Sequence, residues 1–218
     1  MKRILLTLLL AVSLLMVLGG CHFNHGVRGS GVRKTEKREV ASFKAIDTSG
    51  AYEVEVTCQQ PVALQIEADD NVLPLIQTDV RDGVLYVRNE KSYDSNQPVK
   101  LKISTPNLER LKSTGAGKFR VADVKNDKFS IESTGASAVS ANGQTQSLEV
   151  HSTGAGQIDV GQLRAQKAAV RSSGVANVDV NASDELDVDV SGAGRVTYSG
   201  DPKVTKNVSG AGVVSKRN

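Results

Sequence analysis

Apolar and polar residues alternate along most of the chain after about residue 40, and the alternation is organised around a recurring glycine. The glycines of this repeat are Gly115, Gly135, Gly154, Gly174, Gly192 and Gly210. Successive glycines are therefore 20, 19, 20, 18 and 18 residues apart, a period that is typical of solenoids. A serine or threonine precedes each glycine, and a small residue, nearly always alanine, follows it.

Two apolar columns flank the glycine. The column four residues after it contains Phe119, Val139, Ile158, Val178, Val196 and Val214. The column four residues before it contains Leu111, Ile131, Val150, Val170 and Val188, with Lys206 as the one exception. Because the alternation has period two, these segments are predicted to be strands with one buried face. Strands that return once per coil in the same direction stack in parallel, about 4.8 Å apart.

The repeat therefore predicts an all-β, single-domain parallel β-helix with Ser-Gly-Ala-Gly turns and 18–20 residues per coil. We expect the glycines to form corners with positive φ, a backbone conformation that glycine adopts without steric cost. Ile46 and Val54 occupy the same columns around Gly50, so this glycine belongs to an early coil that a large insertion separates from the others.

The insertion has its own local signals. Alternating runs at residues 52–57, 61–67, 84–88 and 99–105 predict strands. Asp69-Asp70-Asn71 precedes an apolar run ending at Ile76 and predicts a short helical turn capped by Asp or Asn. Asp82-Gly83 predicts a tight turn, and the polar residues 92–98 predict a mobile loop.

The N-terminus has the pattern of a secretion signal. Lys2 and Arg3 precede an apolar run over residues 4–18, which is short for a membrane span. Gly19 and Gly20 then precede Cys21, an arrangement that resembles the lipobox of bacterial lipoproteins. That resemblance implies cleavage before Cys21 and acylation of its thiol and new amino group, which gives a stable membrane anchor. The alternative is a soluble secreted protein with a chance cysteine.

We accordingly divide the chain into a signal peptide (residues 1–20), a lipidated tether (21–39) and a β-helical domain (40–218). His22, rather than Asp, follows Cys21, and by the lipoprotein sorting rule this favours the outer membrane of a Gram-negative bacterium. The basic tether is either a contact for anionic headgroups or an ordinary solvated linker.

The net charge of the chain and the positions of its cysteines and histidines argue against several functions. The formal net charge is +3, and removing Lys2 and Arg3 with the signal peptide leaves 3 − 2 = +1, which provides no field to gather nucleic acid. Cys58 has no partner once Cys21 is acylated, so we expect no disulfide and interpret it as a small buried hydrophobic residue. His22 and His25 lie in the tether and His151 in a strand, so no metal site or cofactor is expected.

The insertion and the early coil carry a family resemblance. Its residues are Phe43, Ile46, Gly50, Val54 and Val56, then Val62, Leu64, Ile66, Ala68, Asp69 and Asn71, then Gly83, Leu85 and Val87. With the Ser-Gly-Ala-Gly repeats, they resemble the auto-transporter adhesin, head GIN domain family from residue 40 onward. The resemblance implies a β-helical domain, often displayed on a lipobox, and brings no catalytic or ligand-binding residues.

The first functional hypothesis is a non-enzymatic envelope lipoprotein that acts as a structural or adhesin-like interaction module. Its partners are the membrane, through the lipid on Cys21, and an unidentified protein or glycan. The domain faces either the periplasm or the cell surface. A flat ladder of polar side chains could bind a repetitive polymer, although any β-helix must present such a ladder to water. This ladder consists of Lys118, Gln157, Asn177 and Arg195.

The alternative is a protein that binds or degrades polysaccharides. Asp159 and Asp179 are predicted to stack on adjacent coils and could form a carboxylate pair. No loop beside them is predicted to form a cleft, and no cluster of aromatic residues is apparent, so an enzyme is the weaker hypothesis. No helix follows any Gly-x-Gly turn, which excludes a phosphate-binding loop, and the turns lack the aspartates of calcium-binding glycine-rich repeats.

The last coil, around Gly210, is expected to present an open parallel edge, with Lys216 and Arg217 as charged guards against aggregation. The sequence leaves open whether this edge mediates dimerisation, and it does not indicate the oligomeric state.

Overall fold

A computed structural model describes residues 26–217, and strands account for most of this range. The first nine strands are β1 (Val27–Arg28), β2 (Arg33–Arg38), β3 (Ala45–Ser49), β4 (Tyr52–Cys58), β5 (Ala63–Asp69), β6 (Ile76–Arg81), β7 (Val84–Asn89), β8 (Tyr93–Asp94) and β9 (Val99–Thr105). The remaining eight are β10 (Arg110–Gly115), β11 (Lys118–Gly135), β12 (Ala138–Ser152), β13 (Gln157–Ser172), β14 (Asn177–Val190), β15 (Arg195–Ser199), β16 (Lys203–Val208) and β17 (Val213–Lys216). No helix in residues 26–217 is long and apolar enough to cross a membrane.

The predicted parallel β-solenoid is confirmed by the strand register. Each of the long strands β11 to β14 follows a coil of the solenoid, and each pairs in parallel with the next. The apolar column after the glycine pairs residue for residue, in the order Phe119, Val139, Ile158, Val178, Val196 and Val214. The column before it pairs from Leu111 to Lys206 in the same way.

These columns line the core. The side chains of Phe119, Phe129, Ile131 and Val150 are essentially inaccessible to solvent, as are the valines and alanines stacked on them. Fully burying one Val, Leu, Ile or Phe side chain contributes about 1.5–3 kcal/mol, so each coil is stabilised mainly by the layers above and below it.

The corner glycines stack directly on one another, but positive φ does not explain all of them. Gly115 and Gly135 have φ of 135° and 136°, whereas the φ angles of Gly154, Gly174 and Gly192 lie outside the left-handed region, so our expectation is wrong there. A Cβ on Gly115 would lie 2.5 Å from the carbonyl oxygen of Gly50. The corresponding approach is closer still at the next four corners, so the absence of a Cβ is needed at every one of these levels.

The coils do not stack in the order of the sequence. The early coil, β3 and β4, lies between the coil of β7 and β9 on one side and that of β10 and β11 on the other. The first coil of the solenoid along the sequence, β3 and β4, therefore lies inside the stack. The next coil is added on its N-terminal side, and all later coils are added on its other side.

Antiparallel strands close the N-terminal end. Strand β6 pairs with β7 through a hairpin at Asp82 and Gly83, whose φ angles of 51° and 72° confirm the predicted tight turn. Strand β5 pairs with β9, and β2 adds to the outer edge of β5. Neither β2 nor β6 was predicted as a strand.

The described part of the predicted tether is folded, so that prediction is wrong from residue 26 onward. The guanidinium group of Arg33 lies 3.1 Å from Glu67 and 3.6 Å from Asp69 on the paired strand, and Lys34 lies 3.5 Å from Asp70. The charged residues assigned to the tether thus belong to an edge strand, where they also disfavour pairing with other chains. Residues 1–25, including Cys21, His22 and His25, lie outside the described range.

Two predictions about the insertion also need correction. The short helix is a 3₁₀ turn (Leu73–Leu75) whose N-cap is Val72, with no side-chain hydrogen bond, so the predicted Asp or Asn cap is wrong. The 92–98 loop is held by strand β8, which pairs with β1, because Tyr93 and Asp94 lie opposite Val27 and Arg28.

Cys58 is a free, buried cysteine, as the sequence indicated. Burial raises the pKa of its thiol to about 11, so the reactive thiolate is disfavoured at neutral pH.

The C-terminal end is less covered than the core. Val208 and Val213 remain 39% and 49% exposed, and β17 pairs with β15 on one side only among the described strands. Lys216 lies 2.5 Å from Asp201, and Arg217 forms an ion pair with Asp179. Lys216 and Arg217, the two residues predicted to protect this edge, therefore form ion pairs with carboxylates of their own chain.

We expect Gly154→Ala to destabilise the solenoid by roughly 1–3 kcal/mol, since the added methyl group overlaps the carbonyl oxygen of Gly135 and forces two coils apart. The midpoint of urea unfolding would report the loss. Ala155→Ser adds an atom at the exposed neighbouring position and should change stability by no more than about 0.5 kcal/mol. Equal midpoints for the two variants would contradict the steric role of the glycine column.

We expect Val213→Pro to loosen the final coil, because proline cannot donate the hydrogen bond of 3.0 Å that the Val213 N–H makes to the carbonyl of Gly194. Hydrogen exchange over residues 207–214 should accelerate in this variant. Val213→Ala retains the N–H and separates the backbone effect from the loss of side-chain packing. Unchanged protection in Val213→Pro would show that this coil does not depend on the edge bond.

Candidate functional site

Two outward columns of the first three coils carry charges of alternating sign. Along one column, Lys100 pairs with Glu53, which pairs with Lys118, and the last two side chains lie 3.8 Å apart. On another face, Asp47 lies 3.6 Å from Arg88 and 3.9 Å from Lys112. Exposed ion pairs of this kind contribute only about 0–1 kcal/mol each. Because the signs of the charges alternate, they favour the observed strand register. Neither column therefore presents a potential that is positive or negative throughout.

The predicted carboxylate pair is present, but both carboxylates contact groups of their own chain. Asp159 and Asp179 lie side by side in register on β13 and β14. Asp159 accepts a hydrogen bond of 3.3 Å from the Gly161 N–H, and Asp179 is paired with the guanidinium of Arg217. His151 lies in β12 between Glu132 and Arg171. Residues 26–217 contain no group of three or more His, Cys, Asp or Glu side chains that could hold a metal ion.

The stacked corners form an uncharged ridge along the solenoid. Thr114, Thr134 and Thr153 are exposed on it, and the hydroxyl of Thr153 donates a hydrogen bond of 3.3 Å to that of Thr134. At these three levels the glycine is followed by an alanine and then by Gly117, Ser137 or Gly156, so this part of the ridge has no long side chains. It is therefore open to approach by other parts of the chain.

One part of the chain does approach the ridge and forms a cleft of about 580 Å³, which we call the Tyr93 cleft. Its floor consists of small residues from three coils, Ala51, Ala116, Gly117, Ala136 and Ala138. Its wall is the 92–98 loop, with Tyr93, Asp94 and Gln97, and Glu53 and Lys118 add charge to the lining.

The wall of the Tyr93 cleft is fixed by hydrogen bonds. Pairing with β1 holds β8, and the hydroxyl of Tyr93 donates a hydrogen bond of 3.4 Å to the carbonyl of Ala51. Burial raises the pKa of Tyr93, so its hydroxyl is neutral and can donate at physiological pH. Beneath it, Tyr52 is fully buried, and its hydroxyl bonds the side-chain oxygen of Asn89. Burial raises the pKa of Tyr52 as well.

The chemistry of the Tyr93 cleft suits binding. A floor of small apolar residues, the rings of Tyr52 and Tyr93 and a few polar side chains line it, and such groups hold a small ligand or a sugar ring. Among the described residues, no His or Cys lines this cleft. Sequence reasoning missed the site, because the approach of the 92–98 loop to the Gly115 and Gly135 corners depends on the reordered stacking of the first coils.

A second concavity, of about 730 Å³, runs along another corner of the solenoid and is polar, with side chains that include Lys125, Gln144, Arg164 and Asn181 stacked in register. The amide of Asn126 donates a hydrogen bond of 2.6 Å to the Leu108 carbonyl, while its own oxygen has no partner within the described residues. This groove lacks an aromatic ring, so the Tyr93 cleft is the stronger candidate for a binding site.

Solved structures show the same fold. A "putative adhesin" from Bacteroides fragilis NCTC 9343 is 25% identical, with a TM-score of 0.67 over 88% of this chain and 100% of that chain. A "putative lipid binding protein" from Parabacteroides distasonis ATCC 8503 is 20% identical, with a TM-score of 0.56, and a "putative adhesin" from Parabacteroides merdae ATCC 43184 is 19% identical, with a TM-score of 0.54. Both comparisons cover 88% of this chain and 99% of the other.

A search of curated proteins finds no match to the chain. The model of one protein family, described as "Putative auto-transporter adhesin, head GIN domain", matches residues 42–202. This range spans the early coil, the insertion and most of the repeats, and the family indicates a protein of the cell envelope or cell surface. The chain therefore belongs to the auto-transporter adhesin, head GIN domain family.

Proposed function

We propose that this protein is a non-enzymatic lipoprotein of the bacterial envelope whose solenoid acts as an adhesin-like interaction module. The observation that carries the proposal is the family match over residues 42–202, which coincides with a regular solenoid. Its faces present paired charges, an uncharged ridge and a binding cleft.

Anchoring is part of the same proposal. The apolar run at residues 4–18 and the Gly-Gly-Cys sequence at residues 19–21 support removal of a signal peptide and acylation of Cys21. Three acyl chains would hold the domain stably on a membrane, since each buried CH₂ contributes about 0.8 kcal/mol. His22 supports sorting to the outer membrane, with the domain on either its periplasmic or its external side.

The architecture supports binding by a pre-formed surface. The coils are held by parallel hydrogen-bonded ladders, so a partner would meet side chains that are already ordered and would not have to order a loop. A repeating spacing of about 4.8 Å along the solenoid suits a partner that is itself extended, such as a polysaccharide or a strand of another protein.

Protease treatment of intact cells tests anchoring and orientation together. The cells would express a C-terminally tagged protein, with Cys21→Ser as the control. Removal of the tag from intact cells only when Cys21 is present would place the domain on the cell surface and support an adhesin. Protection until the outer membrane is opened would place the domain in the periplasm and rule out adhesion. Unchanged membrane association of Cys21→Ser would contradict the lipid anchor.

Polysaccharide binding is the second candidate, and the Tyr93 cleft is the observation that favours it. The ring of Tyr93 beside a floor of alanines could pack against the apolar face of a sugar, while Asp94 and Gln97 could accept or donate hydrogen bonds to its hydroxyls.

We expect Tyr93→Ala to reduce co-sedimentation of the purified domain with isolated peptidoglycan sacculi by several-fold, because the ring is the largest apolar group in the cleft wall. Tyr86→Ala is the matched control, since Tyr86 lies outside this cleft and its ring packs against Arg81 and Arg88 at 5.2 Å. Equal sedimentation of the two variants would exclude the Tyr93 cleft as the site of binding to this polymer.

A further inference from the structure

We propose that the N-terminal end of the solenoid faces the lipid bilayer and that the C-terminal end is the membrane-distal tip. This inference rests on the proposed acylation of Cys21 and adds an orientation to it, whichever side of the outer membrane the domain occupies. It follows from the way the first described residues are bound into the fold and from the number of residues that separate them from Cys21.

The first described residues form a clamp, which we define as residues 26–30 and their partners. The Val27 N–H donates a hydrogen bond of 2.9 Å to the carbonyl of Ser92, and the Gly29 N–H donates one of 2.7 Å to the carbonyl of Asp94. Gly26 itself packs closely, because a Cβ there would lie 2.5 Å from the carbonyl carbon of Ser92. Residue 26 is therefore already part of the folded domain.

Side chains at the end of β5 complete the clamp. The oxygen of the Asn71 amide accepts a hydrogen bond of 2.9 Å from the Ser30 N–H, and its nitrogen donates one of 2.8 Å to the Arg28 carbonyl. The hydroxyl of Ser30 donates a hydrogen bond of 2.6 Å to Asp70. Since β5 belongs to the antiparallel strands at the N-terminal end, the clamp fixes the entry of the chain to that end.

The reach from the anchor to the clamp is short. Residue 26 is five positions beyond Cys21, and a fully extended chain spans at most about 3.6 Å per residue, so the two α-carbons are no more than about 18 Å apart. An acyl anchor on Cys21 would therefore keep the clamp near the headgroups at all times.

The solenoid is longer than this reach. Register pairs lead from Leu85 through Ile46 and Leu111 to Lys206 in seven steps, which at about 4.8 Å per step gives a stack of roughly 34 Å. The last coil can approach the bilayer only if the whole solenoid lies on its side.

The ion pairs along the solenoid favour the upright orientation. They occur in the first coils, as between Lys118 and Glu53, and further along, as between Lys167 and Glu185. They offer little attraction to an anionic surface and would have to be desolvated against it.

Exposed cations without an ion-pair partner within residues 26–217 occur at both ends, with Arg28 and Lys91 at the clamp end and Lys203 and Lys206 in the last coil. Such cations attract an anionic surface at either end, so the orientation rests on the short reach from Cys21 and on the paired charges of the long faces.

This orientation assigns different roles to the two ends. The Tyr93 cleft, whose wall is held by the clamp, lies on the membrane side, while the open edge with Val208 and Val213 points away. A partner on another surface would meet the distal coils first.

Fluorescence quenching on vesicles tests the orientation. The full-length acylated protein would be reconstituted into vesicles of phosphatidylethanolamine and phosphatidylglycerol that contain a headgroup-labelled quencher lipid. Fluorophores would be attached to Asn96→Cys, beside the clamp, or to Ser209→Cys, in the last coil, both at exposed positions. Cys58 is buried and the sulfur of an acylated Cys21 is blocked, so the introduced thiol is labelled selectively.

We expect strong quenching at position 96 and little at position 209. Equal quenching at both positions would overturn the orientation in favour of a solenoid lying on its side, and weak quenching at both would show that the clamp opens. A Gly-Ser insertion of about twenty residues before Gly26 adds roughly 25 Å of mean reach and should remove the difference. A difference that survives the insertion would overturn the short linker as its cause.

Mass spectrometry of the N-terminal peptide, performed before reconstitution, separates the two levels of the proposal. A peptide without acyl chains would overturn the anchor, and with it the orientation. An acylated protein that shows no quenching difference would overturn the orientation alone.

Discussion

The contact between corner glycines of successive coils is the constraint on which this structure depends. At each level from Gly115 to Gly192, the carbonyl oxygen of the glycine below occupies the space that a Cβ would need. Only this close approach lets the corners repeat at the strand spacing of about 4.8 Å, so that both flanking strands continue their ladders without interruption. The apolar columns, the alternating charges and the exposed threonines are all aligned because the corners are aligned.

The segment from β3 to β9 gives this solenoid features that a simple stack of identical coils would not have. The chain places β3 and β4 inside the stack and then adds β7 and β9 beneath them, and the loop that joins β7 to β9 crosses the ridge to form the Tyr93 cleft. Small residues on the ridge matter here, since longer side chains at Ala116 or Ala136 would fill the cleft floor.

The two ends of the solenoid are chemically different. At the N-terminal end, antiparallel strands with many charges cover the stack. Arg33 bonds the carboxylate of Glu67 and the carbonyl of Pro98, and Arg38 bonds the carbonyl of Leu73 in the 3₁₀ turn. At the C-terminal end, β16 and β17 leave valines partly exposed. Lys216 and Arg217 are paired with carboxylates of the chain, whereas Lys203 and Lys206 of β16 have no ion-pair partner within residues 26–217. This polarity is consistent with a module that is fixed at one end and free to make contacts at the other.

The sequence by itself determined the solenoid, its register and its buried columns, because period-two alternation and an 18–20-residue repeat are local patterns that parallel stacking must satisfy. The tertiary structure decided what depends on partners distant in the chain. Strand β2 exists because Arg33 to Arg38 meet β5 some thirty residues later, and the cap of the 3₁₀ turn is Val72 although Asp and Asn stand beside it. Gly154 is required by the coil beneath it and not by its own φ angle. The Tyr93 cleft likewise joins residues of four separate segments, and no local pattern specifies which segments the stacking will bring together.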